Sequence, residues 1–145
     1  MGQVTATAEA TISAAPEQVV AALADYTTVR PAILTRHYTD YAVQEGGTGA
    51  GTVVAWKLHA TEKRTRDVVA DVLATSTSIT ESDRNSSMVT TYQVTPSGAG
   101  SKVVVTTTWT GASGIGGFFE RTFAPKGLRA IHTELLANLA AHLGA

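Results

Sequence analysis

Between residues 37 and 109 the sequence alternates apolar and polar residues in short runs, broken by turns rich in glycine, serine and asparagine. A period of two marks a half-buried strand, and successive runs with short connections pair as an antiparallel meander rather than as βαβ units. The runs predict strands over 37–44, 52–59 and 64–74, and a short one over 78–81 around Ile79. The turns between them are 45–51, Thr61-Glu62-Lys63 and Ser82-Asp83-Arg84-Asn85. Met88, Thr90, Tyr92 and Val94 line up on the next strand, and Val103, Val105, Thr107 and Trp109 on the last. An earlier strand precedes them all, with Val4, Ala6, Ala8, Ala10 and Ile12 on one face and Thr5, Thr7, Glu9 and Thr11 on the other.

Helical signals occupy the remaining stretches. Ser13 or Ala14 near a cap, Pro16 in the first turn and Glu17 beside the positive helix end predict a short helix carrying Val19, Val20 and Leu23. Asp25 is placed to cap a second short helix, interrupted or restarted at Pro31. Near the C-terminus, Leu128, Ile131, His132, Leu135, Leu136, Leu139, His142 and Leu143 share one arc at 100° per residue, so a long helix lies against something apolar. Pro125 and Gly127 predict an early kink or break that leaves residues 118–124 as a separate turn or two. No repeat, linker or low-complexity tail interrupts residues 1–145, which read as a single domain.

Composition narrows the function classes. A net charge of −1 lacks the basic excess that neutralises phosphates, so no nucleic-acid partner is expected. The chain has no cysteine, which removes a disulfide framework, a thiolate zinc site and a thiol nucleophile. No run approaches the roughly 18 apolar residues of a membrane span, and the alternating N-terminus is unlike a signal peptide. A cytoplasmic protein without stable membrane insertion is the expectation.

This order of elements resembles the helix-grip fold of the START and Bet v 1-like superfamily, also called SRPBCC, over essentially the whole chain. Pro16, the Asp25-Tyr26 end of the first helix and the loop from Gly111 to Phe119 look more narrowly like bacterial members of polyketide cyclase/dehydratase and lipid-transport type. The resemblance implies an α+β domain with a curved antiparallel sheet of about seven strands around a long C-terminal helix, and two short helices between the first and second strands. It also implies a space between helix and sheet that holds lipids, polyketides or quinone-like molecules.

The alternation shows which side chains would wall that space. Val54, Trp56, Leu58, Val68, Val94 and Trp109 share the apolar sheet face, and Leu128, Ile131, Leu135 and Leu139 meet it from the helix. Arg66, Thr90, Tyr92 and Thr107 point the same way, and a dry core does not usually hold a guanidinium. Arg66 reads either as a ligand-orienting group or as a strand-end cation with its head in solvent. His132 reads as a general acid or base, as a donor to a ligand carbonyl, or as a neutral core histidine.

His37 and His59 fall at strand ends or outward, so no multi-histidine metal site is supported by spacing. Asp67 and Asp71 read as a solvated outer pair, and Tyr26, Tyr38 and Tyr41 either ring the cavity entrance or simply pack. The glycine run 46–51 opens a strand, whereas a dinucleotide fingerprint opens a helix. The run 111–117 does open a helix but lacks the phosphate-loop lysine and hydroxyl, and it reads as a lid or a plain loop. No cofactor is expected.

Three functions remain open from sequence. The first is a carrier or sensor of a hydrophobic small molecule, with Arg66, Tyr92 and His132 orienting its polar ends. The second is a cyclase/dehydratase-like enzyme, for which the same three residues are the catalytic candidates. The third is a protein-interaction module with a vestigial cavity.

Overall fold

The computed structural model describes residues 2–61, 64–111 and 125–144. Strand β1 (Gly2–Ile12) leads into two short helices, α1 (Pro16–Ala24) and α2 (Val29–Ile33). Then come β2 (Tyr38–Glu45), β3 (Val53–Thr61), β4 (Arg64–Ala74), β5 (Ser78–Asp83), β6 (Val89–Ser97), β7 (Gly100–Gly111) and the long helix α3 (Pro125–His142). The strands form one antiparallel sheet in the order β1-β7-β6-β5-β4-β3-β2. Curved around α3, with two short helices joining its opposite edges, this sheet makes the helix-grip fold that the strand count and element order predict.

Alternation translates directly into burial. On β1, Ala6, Ala8 and Ile12 are buried while Thr5, Thr7 and Glu9 face solvent. The same parity buries Val54, Trp56 and Leu58 on β3, Val68, Ala70 and Val72 on β4, and Val103, Val105, Thr107 and Trp109 on β7. From α3, Leu128, Ile131, His132, Leu135, Leu136 and Leu139 complete the core.

The loop between β2 and β3 pins the connection of α1 to α2. The Tyr26 amide donates to the Gly47 carbonyl, and the Gly49 amide donates to the Ala24 carbonyl. Gly47 has φ 149, a conformation that residues with a Cβ rarely adopt, and a Cβ there would stand 2.6 Å from Thr27 Oγ1 and force that side chain to move. Asp25 acts within this junction: one carboxylate oxygen accepts from the amides of Thr27 and Thr28, and Thr28 occupies the position before α2.

Several boundaries differ from those the sequence predicts. Helix α1 starts one residue later than Ser13 or Ala14 as cap allows: Ala15 is the N-cap, and its amide donates to the Gln18 side chain. Pro31 lies inside α2 in its first turn, where a missing N–H costs nothing. The described part of α3 runs unbroken from Pro125 through Gly127, so Gly127 does not break the helix. Residues 118–124 and most of the loop 111–117 lie outside the described residues. His142 is exposed rather than on the buried arc. Strand β5 runs to Asp83, two residues beyond the predicted end, because Ser82 and Asp83 still pair with Asp71 and Ala70 of β4. The Asp83 carboxylate then accepts from the Asn85 amide and forms the turn.

Candidate functional site

Register sets polar side chains in a row across the concave face. Glu81 on β5 stands opposite Thr90 on β6, and Thr90 stands opposite Thr107 on β7. Residues directly opposite in antiparallel strands share a face, so the three point toward α3 at one level of the sheet. All three are buried. Thr90 Oγ1 lies 2.7 Å from Thr107 Oγ1, which lies 2.7 Å from His132 Nε2 on α3.

Beneath Glu81 is a buried charge pair. Arg30 of α2 and Glu81 are 3% and 5% exposed and meet at 2.8 Å. Arg30 also donates to the Leu23 carbonyl (2.8 Å) and to the Tyr26 hydroxyl (3.1 Å). Its guanidinium lies 4.6 Å from the ring centre of Tyr26 and 4.7 Å from that of Tyr92. The Tyr26 hydroxyl donates to the Glu81 oxygen that Arg30 holds, at 2.5 Å. These charge-assisted contacts are what let the two charges persist out of water.

The electrostatics follow from this enclosure. Burial opposes the charge on Arg30, but Tyr26, Glu81 and Tyr92 around it outweigh that and hold its pKa above the ordinary value. Burial raises the Tyr26 and Tyr38 hydroxyls well above the usual tyrosine range and Tyr92 to about 12, so all three are neutral donors. Burial, and then the nearby Arg30 charge, lowers His132 to about 4, so its imidazole is neutral at physiological pH.

A small cavity opens over this polar row. It measures about 10 Å³ and is lined by Tyr38, Trp56, Leu58, Glu81, Met88, Thr90, Tyr92, Thr107, Leu128 and His132. That is room for about one water molecule. Two buried polar atoms on its lining residues, Trp56 Nε1 and His132 Nδ1, have no hydrogen-bond partner among the described residues. Trp56 is held edge-on by Tyr38, with ring centres 5.8 Å apart, and stacked on Tyr41 at 6.5 Å. Tyr41 in turn donates to the Tyr26 carbonyl.

Of the residues singled out from sequence, Trp56, Leu58, Thr90, Tyr92, Thr107, Leu128 and His132 come together around this cavity. Val54, Val68, Val94, Trp109, Ile131, Leu135 and Leu139 are buried in the surrounding core, off the lining. Arg66 is half-buried on the concave face opposite Leu58, also off the lining. Tyr38 lines the cavity, whereas Tyr26 is buried behind Glu81 and Tyr41 supports Trp56. Asp71 is on the outer face, where Arg84 holds it in a two-point ion pair. His37 and His59 do not converge: the His37 ring bonds the His59 carbonyl, and the His59 ring sits between the hydroxyls of Thr39 and Thr65.

Arg30 and Glu81 are the site residues that sequence reasoning missed. Glu81 is in phase with Ile79, and extending that strand to Asp83 puts it inward. Arg30 has no comparable local signal, since its partner is 51 residues away.

The profile of the family described as polyketide cyclase / dehydrase and lipid transport matches residues 3–144. Among solved structures, the KanY protein, determined by NMR in solution, is 55% identical, with 100% of each chain covered and a TM-score of 0.90. TTHA0849 from Thermus thermophilus is 20% identical over 97% of each chain, with a TM-score of 0.76. The di-domain ARO/CYC protein BexL of the BE-7585A biosynthetic pathway is 13% identical; the match covers 99% of this chain and 50% of that one, with a TM-score of 0.74. The last two show the shared fold alone. No curated protein matches the chain.

Proposed function

The chain belongs to the polyketide cyclase / dehydrase and lipid transport family, and from that premise we propose that it acts as a single ligand-binding domain, a cytoplasmic carrier or sensor of a hydrophobic small molecule. The observation that carries this reading is the cavity between sheet and α3, apolar at Trp56, Leu58, Met88 and Leu128 and polar at Glu81, Thr90, Tyr92, Thr107 and His132. Apolar walls with a few convergent polar groups are the composition of a small-molecule site. At about 10 Å³ the cavity holds about one water molecule, so a larger ligand is admitted by moving α3 against the sheet or by rotating the lining side chains. Unpartnered polar atoms at Trp56 and His132 favour that widening, because the narrow state leaves them unsatisfied.

The acid–base character of the lining favours a second reading, a cyclase-like enzyme. A neutral imidazole and a carboxylate on one cavity can exchange protons with a carbonyl substrate, with Tyr92 as an added donor. Arg66, a candidate from sequence in both readings, is off the lining, and the cavity supports no role for it in either. An interaction module needs an exposed apolar patch, and among the described residues Leu73, 65% exposed, is the one large apolar side chain in solvent.

Native mass spectrometry of the protein taken from its host, or incubated with host lipid extract, tests the first reading. A discrete bound mass supports it. Bare protein, with no thermal shift across a panel of hydrophobic metabolites, would sink both cavity readings. Once a ligand is known, His132→Ala separates them: turnover is abolished in an enzyme, and affinity alone shifts in a carrier.

A further inference from the structure

The hydrogen-bond chain that ends at His132 determines which kind of polar group the cavity recognises. Thr90, Thr107 and His132 hold two hydroxyl protons and one imidazole proton between them, with only two contacts to satisfy. If Nε2 carried the imidazole proton, it would donate to Thr107 and Thr107 would donate to Thr90. The Thr90 proton would then have no acceptor, and the Nδ1 lone pair would be bare as well. The opposite direction wastes less. Thr90 donates to Thr107, Thr107 donates to Nε2, and the single unmatched group is an N–H at Nδ1.

A second unmatched donor, the Trp56 indole N–H, belongs to the same lining. Indole nitrogen donates and never accepts, so this group also calls for an acceptor. The charges nearby cancel, since Glu81 on the lining is paired with Arg30 behind it. A carboxylate ligand would meet no uncompensated cation in this row and would face the Glu81 carboxylate. An uncharged oxygen acceptor meets neither obstacle. The far end of the row differs: Glu81 has one oxygen taken by Tyr26 and Arg30. Its side chain stands two strand spacings from Thr107, about 10 Å, and accepts a hydroxyl rather than a carbonyl.

We propose that the ligand is a neutral carbonyl compound of ketone or quinone type, its oxygen bound by His132 Nδ1–H with Trp56 Nε1–H as the second donor, and that fatty-acid-like carboxylates are rejected. This deepens the carrier reading and rests on the same cavity.

Three probes of one size test it by calorimetric titration of the intact protein: 1-tetralone, the hydrocarbon tetralin, and 1-naphthoate. The expected result is tetralone binding at least tenfold tighter than tetralin, with naphthoate weaker than either. His132→Phe should reduce the tetralone preference to near unity. Long-range proton–nitrogen NMR on the wild type, which does not depend on the variant folding, should show Nδ1 protonated and Nε2 bare. Equal affinities for tetralone and tetralin, tightest binding of naphthoate, or a proton on Nε2 would each overturn the carbonyl inference while leaving the cavity in place. Failure of all three probes to bind would remove the cavity reading itself, and the inference with it.

Discussion

The two halves of α3 meet different surroundings. Toward the C-terminus, Leu135, Leu136 and Leu139 are sealed at 1% exposure or less, off the cavity lining. Toward the N-terminus, Leu128 and His132 border the cavity, and His132 ends a row of buried hydroxyls and leaves Nδ1 unmatched. One helix therefore closes the core at one end and presents a polar contact at the other. The difference separates two uses of burial. In the leucine half, burial removes apolar surface from water, and close packing makes each methylene count. In the histidine half, burial takes polar groups out of water and leaves His132 Nδ1 without a partner among the described residues, which costs free energy.

Breaking the polar half should have the largest effect. Removing Glu81 with Glu81→Ala strands the Arg30 charge, and urea denaturation should show a loss of about 3–5 kcal/mol. The double replacement Arg30→Met with Glu81→Leu should recover much of that loss, since it removes both charges together. A double variant no more stable than Glu81→Ala would mean the pair stabilises the fold rather than furnishing the site.

In the leucine half, Leu139→Ala should cost about 2–5 kcal/mol through the lost contacts and the void left behind. Its ligand affinity, measured on the folded fraction, should stay within a factor of a few of wild type. A large affinity loss would show that the two halves act as one.

The histidine half has a pH signature. His132 is neutral in the fold down to about 4, while an unfolded histidine protonates near its ordinary value of 6.5. Between these values the unfolded chain binds the extra proton, so stability is complete above the upper value and falls as pH drops toward the lower one. The difference amounts to roughly 3 kcal/mol. Comparing wild type with His132→Gln across that range isolates the contribution from those of the carboxylates. Parallel pH curves for the two proteins would contradict a buried neutral imidazole.

Much of this contrast is legible in the sequence. Period-two counting places Thr90, Tyr92 and Thr107 with Trp56 and Leu58, and the helical arc brings His132 over them. Glu81 already shares the phase of Ile79 within the predicted strand 78–81, but it is the last residue of that run. A carboxylate there looks like the edge of the turn rather than a core group, whereas the strand in fact pairs on to Asp83. Arg30 is a different case. Tyr26 is only four residues away, but Arg30's burial also depends on Glu81 and Tyr92 arriving from two distant strands, and no local pattern encodes that meeting. Nor does sequence fix the cavity's size, which depends on single methylenes of lining side chains such as Met88 and Leu128.

The smallest expected effect approaches the contrast from the other side. Trp56→Phe removes a buried N–H that has no partner among the described residues while retaining most of the ring, so stability should change by less than about 1 kcal/mol. Affinity for a carbonyl ligand should nevertheless fall, because the second donor is gone. A large loss of stability with unchanged affinity would assign Trp56 to packing alone.

The most direct test of a ligand site between sheet and helix is a proton–nitrogen NMR titration of the labelled protein with the ligand recovered from its host. The Trp56 indole N–H and the backbone amides around Thr90, Thr107 and His132 should shift together with one binding curve, while those around Leu135 and Leu139 move little. Shifts confined to the outer face of the sheet, or none at saturating ligand, would contradict such a site.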